Sequence, residues 1–215
     1  MAKAKIEFQA QDVWAAACAA QRINGAYIKA ANKNMYGVVE PEGTPNRQVM
    51  MNLLTAAPQD ILQEDREQGG EVRRYYQALT FMTLKGGRLN DFDNTAMEIS
   101  NQETITSFLH IAVMASLPSC HARAVTRDEG NRKINWADGG FIGNIGDKIN
   151  LNIEVVKSVF SFNYNVNFVT GMTEQNQVVF FSYREKMEAG SKVTVKGTIK
   201  AHRDNSTQLT RVKVV

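Results

Sequence analysis

The chain has 215 residues, of which 43% are hydrophobic and 22% are charged, and its net charge is +3. These values are ordinary for a globular protein and exclude a disordered tail, a collagen-like repeat and a coiled-coil rod. No apolar stretch approaches the roughly 20 residues that cross a bilayer, and residues 1–12 lack the apolar region of a secretion signal. The two cysteines are too few for a disulfide framework. We therefore expect a cytoplasmic protein without a membrane partner.

Positive charge is concentrated toward the end of the chain. Residues 1–100 carry a net charge of −1, whereas residues 101–215 carry +4. The last 24 residues hold six lysines and arginines against the single acid Asp204. Such a basic edge indicates a polyanionic partner, most simply nucleic acid. The alternative is a basic surface that binds nothing.

The first 120 residues predict helices. Residues 11–31 are rich in alanine, the strongest helix former. Two prolines and two glycines make residues 35–46 a connection, and Asn46 is placed to cap a helix over residues 46–54. Three further helices are predicted, over residues 58–70, 71–84 and 104–117.

Glycine and proline set the predicted limits of these last three helices. Gly69 and Gly70 are expected to end the first of them, and Pro118 the third. Residues 85–88 (KGGR) predict a loop after the second.

The hydrophobic pattern changes to a period of two after about residue 145. Apolar residues occupy odd positions from Ile149 to Val155, and aromatic residues occupy even positions from Phe160 to Phe168. Three more strands, separated by tight turns, are predicted over residues 178–183, 193–199 and 207–215.

These patterns predict an α+β fold. Its mainly helical region spans residues 1–145 and its antiparallel β region spans residues 146–215. We expect the helical part to pack on an antiparallel sheet or a small OB-like barrel, as one compact unit.

The strand 191–200 (SKVTVKGTIK) places lysines on one face. Lys192, Lys196 and Lys200 share a parity, and an extended strand separates successive lysines by roughly 13 Å. Such a row suits a phosphate backbone, although lysines also solvate an outer face and discourage edge-to-edge pairing. The turn and strand that follow add three phosphate-binding candidates: Arg203, Arg211 and Lys213.

Aromatic residues are the candidates for stacking on bases. Phe160, Phe162, Tyr164 and Phe168 share the parity of Val166, which predicts a buried face rather than a stacking platform. Tyr164 is the member retained as a base-binding candidate, because its hydroxyl favours a polar rim.

Trp136 is the other base-binding candidate. It follows Arg132 and Lys133 in a loop-like segment, and the alternative is a tryptophan that closes the edge of the core.

Two more basic elements extend the candidate surface. In the loop of Lys85 and Arg88, glycine N–H groups are expected to approach phosphate. A polar stretch is expected to be flexible and to become ordered on nucleic acid. It contributes four candidates: Arg123, Arg127, Arg132 and Lys133. The alternative for each element is a solvated surface.

Motifs for catalysis are missing from the sequence. Neither G-x-x-x-x-G-K-[ST] nor G-x-G-x-x-G occurs, and Cys120-His121 has no second ligand pair at zinc spacing. We therefore expect no enzyme, no metal and no other cofactor. A metal-dependent nuclease is the alternative, and it would need Asp91, Asp93 and Asp138 to converge, although Asp91 and Asp93 better suit a turn and a helix start.

The end of the chain carries a family resemblance. Residues 197–202 (GTIKAH) and 207–213 (TQLTRVK) resemble the last strands of a small oligonucleotide-binding-like module in phage DNA-metabolism proteins. The layout of a helical front and a basic β end resembles the single-stranded-DNA-binding RNA polymerase cofactors of lytic short-tailed phages that carry a virion RNA polymerase.

The resemblance implies a function in the host cytoplasm. It implies binding of unpaired DNA without sequence reading, assistance of a phage RNA polymerase at melted promoters, and a fold that departs from the usual five-stranded barrel. The chain ends in Val-Lys-Val-Val instead of an acidic tail, so a polymerase contact would use the folded surface. A replication role, a protein–protein adaptor with an apolar patch on the helical half, and a homo-oligomer are left open.

Overall fold

The computed structural model describes residues 6–30, 32–34, 37–39 and 43–215. Parts of three predicted segments lie outside the described residues. They are residues 1–5 of the segment examined for a secretion signal, residue 31 of the first predicted helix, and residues 35–36 and 40–42 of the predicted connection. The chain divides into two compact units, Met1–Arg123 and Ala124–Val215.

The first unit is helical. Its helices are α1 (Ala10–Asn24), α2 (Asn46–Thr55), α3 (Gln63–Leu84), α4 (Asp91–Ser100) and α5 (Phe108–Met114), with a 3-10 turn at Pro58–Asp60. Helix α6 (Leu117–Asn135) begins in this unit and ends in the second. Two short antiparallel pairs complete it: β1 (Phe8–Gln9) with β4 (Thr104–Ile105), and β2 (Asn32–Asn34) with β3 (Gly37–Val39).

Helix α1 forms the centre of the helical core. Every residue from Val13 to Ala20 is buried, as expected for a helix that has neighbours on all sides. The helix predicted over residues 11–31 ends earlier, at Asn24, because Gly25 takes a left-handed conformation and its N–H donates to the Arg22 carbonyl.

Helix α3 runs through Gly69 and Gly70, so the predicted end at this pair is wrong. A Cβ on Gly69 would lie 2.9 Å from the backbone of Trp14 and Ala15, and on Gly70 it would meet only the Arg74 side chain at 3.4 Å. Gly69 is therefore a close-approach residue between α1 and α3, not a helix stop. The helix predicted over residues 71–84 is the second half of α3.

Prolines and an asparagine also act differently from the prediction. Pro118 lies in the first turn of α6 instead of ending a helix, a position where its missing N–H costs no helical hydrogen bond. Pro45 precedes α2, and the buried Asn46 side chain accepts hydrogen bonds from Ile28 N–H and the Asn24 amide. The predicted connection around it contains the β2–β3 pair.

The second unit is built around a closed five-stranded barrel. Its strands are β5 (Lys148–Ser161), β6 (Val166–Met172), β7 (Val178–Tyr183), β8 (Lys192–Arg203) and β9 (Ser206–Val214). They pair in the order β5-β6-β7-β9-β8, and β8 returns to β5. Only β7 and β9 pair in parallel. This arrangement is compatible with an OB-like barrel.

The predicted α+β fold class is confirmed: a helical part is followed by a five-stranded barrel. Two details of the barrel differ from the prediction. The β7–β9 pair is parallel, because four antiparallel pairings around a closed ring of five strands leave the fifth pair of neighbours running in the same direction. The aromatic run is not one strand, since β5 ends at Ser161 and residues 162–165 form a turn.

The segment 137–147 covers one end of the barrel. The Ile142 N–H donates to the Thr207 hydroxyl, the Gly146 N–H to the Ile199 carbonyl, and Phe141 stacks on His202 at 4.6 Å. The strand ends that meet here are the N-termini of β5, β7 and β9 and the C-termini of β6 and β8. The opposite end, with the 162–165 turn, is not reached by these contacts.

Gly69→Ala should destabilise the protein by about 1–3 kcal/mol, because its methyl group would press on the backbone of α1. Gly70→Ala is the matched control and should raise stability by about 1 kcal/mol through helix propensity. Urea unfolding followed by circular dichroism measures both. Equal effects of the two variants would contradict the close approach at Gly69.

Candidate nucleic-acid interface

The outer surface of β6 and β7 carries aromatic rings. The buried, inward-facing residues of β6 are Asn167, Val169 and Gly171. Phe168 therefore lies outside, and its ring centroid is 5.9 Å from Tyr164 and 5.7 Å from Phe180 of β7. We call Tyr164, Phe168 and Phe180 the aromatic face.

The predicted buried face of the aromatic run is wrong. Phe162 and Tyr164 are 89% and 71% exposed, and Phe160 is 43% exposed. The physical reason is the turn at residues 162–165, with Asn165 at a positive φ of 51°, which separates Phe160 and Phe168 onto two strands. Their shared parity then no longer defines a common face.

Polar side chains border the aromatic face in register. Lys157 of β5 lies opposite Thr170 of β6, Thr170 opposite Phe180, and Phe180 opposite Gln208 of β9. Lys157 is exposed and takes part in no ion pair among the described residues. The row thus places a lysine, a hydroxyl, a ring and an amide side by side across four strands.

A second set of outward side chains is basic. Lys196 of β8 lies directly opposite Lys213 of β9, and Lys148 of β5 lies opposite Thr198, two residues from Lys196. We call Lys148, Lys196 and Lys213 the basic face. None of the three takes part in an ion pair within the described part of the chain, and like charges directly opposite each other destabilise a sheet.

The predicted lysine row points away from the barrel interior. Lys192, Lys196 and Lys200 are exposed, whereas Val195 and Ile199 between them are buried. Arg203 is exposed at the end of β8, and Arg211 is exposed in β9 with a positive φ of 55°. The barrel unit therefore carries all six C-terminal lysines and arginines that are predicted to bind phosphate.

Helix α6 holds the stretch that was expected to be flexible, so that expectation is wrong. The helix continues without a break through this stretch to Asn135. The alanine, arginine, glutamate and lysine residues of the stretch favour helix. Two of its candidates are paired with acids: Arg127 with Asp128 at 3.2 Å and Lys133 with Glu154 at 2.5 Å. Arg123 lies against Ser119 and Cys120, and Arg132 is exposed.

Trp136 lies directly after α6 and is 83% exposed. Its backbone N–H donates to the Arg132 carbonyl, so the helical hydrogen-bonding pattern continues to Trp136. The exposed indole does not close the core of the barrel unit, which leaves it accessible to a base.

The loop of Lys85 and Arg88 does not offer its glycine N–H groups to phosphate. The N–H of Gly86 donates to the Thr83 carbonyl and that of Gly87 to the Met82 carbonyl at 2.9 Å. These bonds satisfy the C-terminus of α3, where the helix dipole is negative. Lys85 and Arg88 themselves are exposed.

An open cleft of about 320 Å³ lies beside β5 and the beginning of β8. Its charged lining comprises Lys133, Glu154, Glu174 and Lys192, and Glu154 already pairs with Lys133. The mixed charges give the cleft no strong preference for an anion.

The acids of the nuclease alternative occupy ordinary structural positions. Asp91 and Asp93 lie in the first turn of α4, and the Asp93 N–H donates to the Asn90 side chain, which caps the helix. Across the described residues, no group of three or more His, Cys, Asp or Glu side chains is arranged to hold a metal ion.

Among the described residues, the groups whose pKa values are shifted lie in the helical unit. Burial raises the pKa of the Cys18 thiol to about 12, so it stays protonated and is a poor nucleophile. Burial lowers the pKa of His121, and burial raises that of Tyr76. These shifts follow from packing in the helical core and define no site on the barrel.

The fold and surface define a class of protein: a helical unit joined to an OB-like barrel with an aromatic face and a basic face. No family model, curated protein or solved structure matches the chain. Among the described residues, no helix is long and apolar enough to span a membrane.

The adjacent residues Phe180 and Phe181 test which side of β7 faces outward. Phe181→Ala should cost about 3–5 kcal/mol of stability, because this ring is 1% exposed inside the barrel. Phe180→Ala should cost far less, since its ring lies on the outer surface. Chemical denaturation measures both variants, and similar losses would show that the register is shifted by one residue.

Proposed function

We propose that the protein binds single-stranded DNA without sequence preference, with unpaired bases stacking on the aromatic face. The observation that carries the proposal is the outward position of Phe168 and Phe180 on two neighbouring strands of a closed barrel, where Phe168 contacts both Phe180 and Tyr164. These strands are the second and third of the barrel, the surface that OB folds use for oligonucleotides.

Stacking explains the preference for unpaired strands. Every base has an aromatic face, which a single strand exposes and a duplex buries between neighbouring pairs. Aromatic rings read no donor or acceptor pattern, so they do not select a sequence. Phe160 and Phe162 are in ring contact at 5.0 Å, but Phe160 lies opposite the inward-facing Asn167 and is therefore not part of the aromatic face.

The charge of the barrel unit supports a polyanionic ligand. Residues 124–215 hold 13 lysines and arginines against nine aspartates and glutamates, a net charge of +4. Lys157 borders the aromatic face through its pairing with Thr170. Positive charge beside stacking rings is the combination that binds single strands.

Assistance of a phage RNA polymerase stays a prediction from the sequence resemblance, as does the alternative role in replication. Transcription from a promoter with a melted segment, with and without the protein, tests the first of these. Stimulation by the wild type but not by a variant deficient in DNA binding would link the two activities.

A protein–protein adaptor is the second candidate function. The specific observation in its favour is the exposed end of α3, where Phe81, Met82 and Leu84 are 68%, 53% and 76% exposed. Exposed apolar side chains on one element are a feature of protein-binding surfaces. This function would not require DNA binding.

Phe168→Ala should weaken binding of a labelled single strand roughly tenfold, because stacking contributes about 1–3 kcal/mol per base. The salt dependence of the affinity should not change, since no charge is removed. Fluorescence anisotropy at several salt concentrations measures both quantities, with a duplex of the same sequence expected to bind more weakly.

Phe81→Ala is the matched control, because it removes an exposed phenylalanine from the helical unit. It should leave DNA affinity unchanged. If the wild-type protein does not bind the single strand at low salt, the proposed function is wrong, and the adaptor candidate replaces it.

A further inference from the structure

The aromatic face and the basic face lie on different sides of the barrel. The rings occupy the outer surface of β6 and β7, whereas the lysines occupy β8, the end of β9 and the beginning of β5. In the closed order β5-β6-β7-β9-β8, two routes connect them, one across β9 and one across β5.

The route across β9 is polar and carries no acidic residue, and Arg211 is exposed on it. Gln208 lies beside Phe180, Thr210 lies opposite Thr198 of β8, and Lys213 follows opposite Lys196. Hydroxyl and amide groups can donate hydrogen bonds to phosphate oxygens without repelling them.

The route across β5 carries an acid. Glu154 is paired in register with Met172 of β6 and with Lys192 of β8, and its carboxylate already binds Lys133. A phosphate backbone would pass close to this carboxylate, so the route across β9 is favoured.

We propose that one DNA strand runs from the aromatic face across β9 to the basic face, so that bases stack at the first and phosphates bind at the second. This inference rests on the proposed function and adds the path of the strand. Two interstrand spacings and five residues of β9 separate Phe180 from Lys196, a diagonal of roughly 19 Å. A stacked strand rises about 3.4 Å per nucleotide, so about six nucleotides cover this distance.

Oligonucleotide length then separates the two faces. An oligonucleotide of about three nucleotides fills the aromatic face and is too short to reach the basic face, whereas one of about 16 reaches both faces, within the range of site sizes known for OB folds. The lysines of the basic face should therefore influence only the longer ligand.

The double variant Lys196→Gln and Lys213→Gln tests this dependence. For the 16-mer, the log–log salt slope should fall by about 1.4, that is about 0.7 for each phosphate contact. Its loss of affinity between about 50 and 200 mM salt should then be about sevenfold smaller than for the wild type. Affinity and slope for the 3-mer should not change.

The control variant Lys186→Gln removes one positive charge from the barrel unit. Lys186 already pairs with Glu188 and does not lie on the path. The control variant should leave the slope for the 16-mer nearly unchanged. Thr210→Glu adds a negative charge on the route itself and should weaken the 16-mer severalfold with little effect on the 3-mer.

The outcomes separate the path from the function. A fall in slope that is equal for both lengths, or absent for both, would overturn the path, as would a 16-mer insensitive to Thr210→Glu. If the wild type binds neither oligonucleotide, the proposed function itself fails. Length-specific effects of both variants, with a silent control, would establish the path across β9.

Discussion

The surface of this protein depends on the closure of a narrow five-stranded barrel. The interior is filled by side chains of moderate size, among them Ile153, Val169, Val179, Val195 and Leu209. Gly171 marks how tight the packing is, because a Cβ there would lie 2.6 Å from the end of the Ile153 side chain. A barrel filled in this way places the rings of Phe168 and Phe180 outside. The aromatic face is thus a consequence of closure and not of an unfinished core.

One irregularity in β5 makes the closure feasible. The first half of this strand pairs with β8 and the second half with β6, and the register shifts between Val155 and Lys157. Val155 faces the interior, and Val156, the additional residue, packs instead near Gly130 of α6. A bulge bends a strand and resets which side chains point outward. Lys157 therefore joins the outer row of the aromatic face.

The same physical features explain what could be predicted from the sequence. The lysine strand was predicted well because residues 192–199 alternate without interruption, so parity alone assigns their faces. The aromatic run was not, because parity holds only within one strand and the turn at residues 162–165 interrupts it. The helix end predicted at Gly69 is wrong for a different reason. Local propensity identifies glycine as a helix breaker, whereas the close approach of α1 to Gly69 is a tertiary contact between residues distant in sequence. Pro118 is compatible with a helix end or a helix start, and the pattern around it did not decide between them.

The positive charge of the chain is concentrated in the barrel unit. The barrel unit carries +4 while the rest of the chain carries −1, and Lys196 faces Lys213 across two strands without an acid between them. Such a pair weakens the isolated sheet slightly, yet each phosphate bound there would neutralise it and release counterions to the solvent. The repulsion that costs stability in the free protein would thus become a gain in affinity on binding a polyanion. In the proposed function, the rings on β6 and β7 would add the selectivity that charge lacks, because phosphates alone do not distinguish a single strand from a duplex.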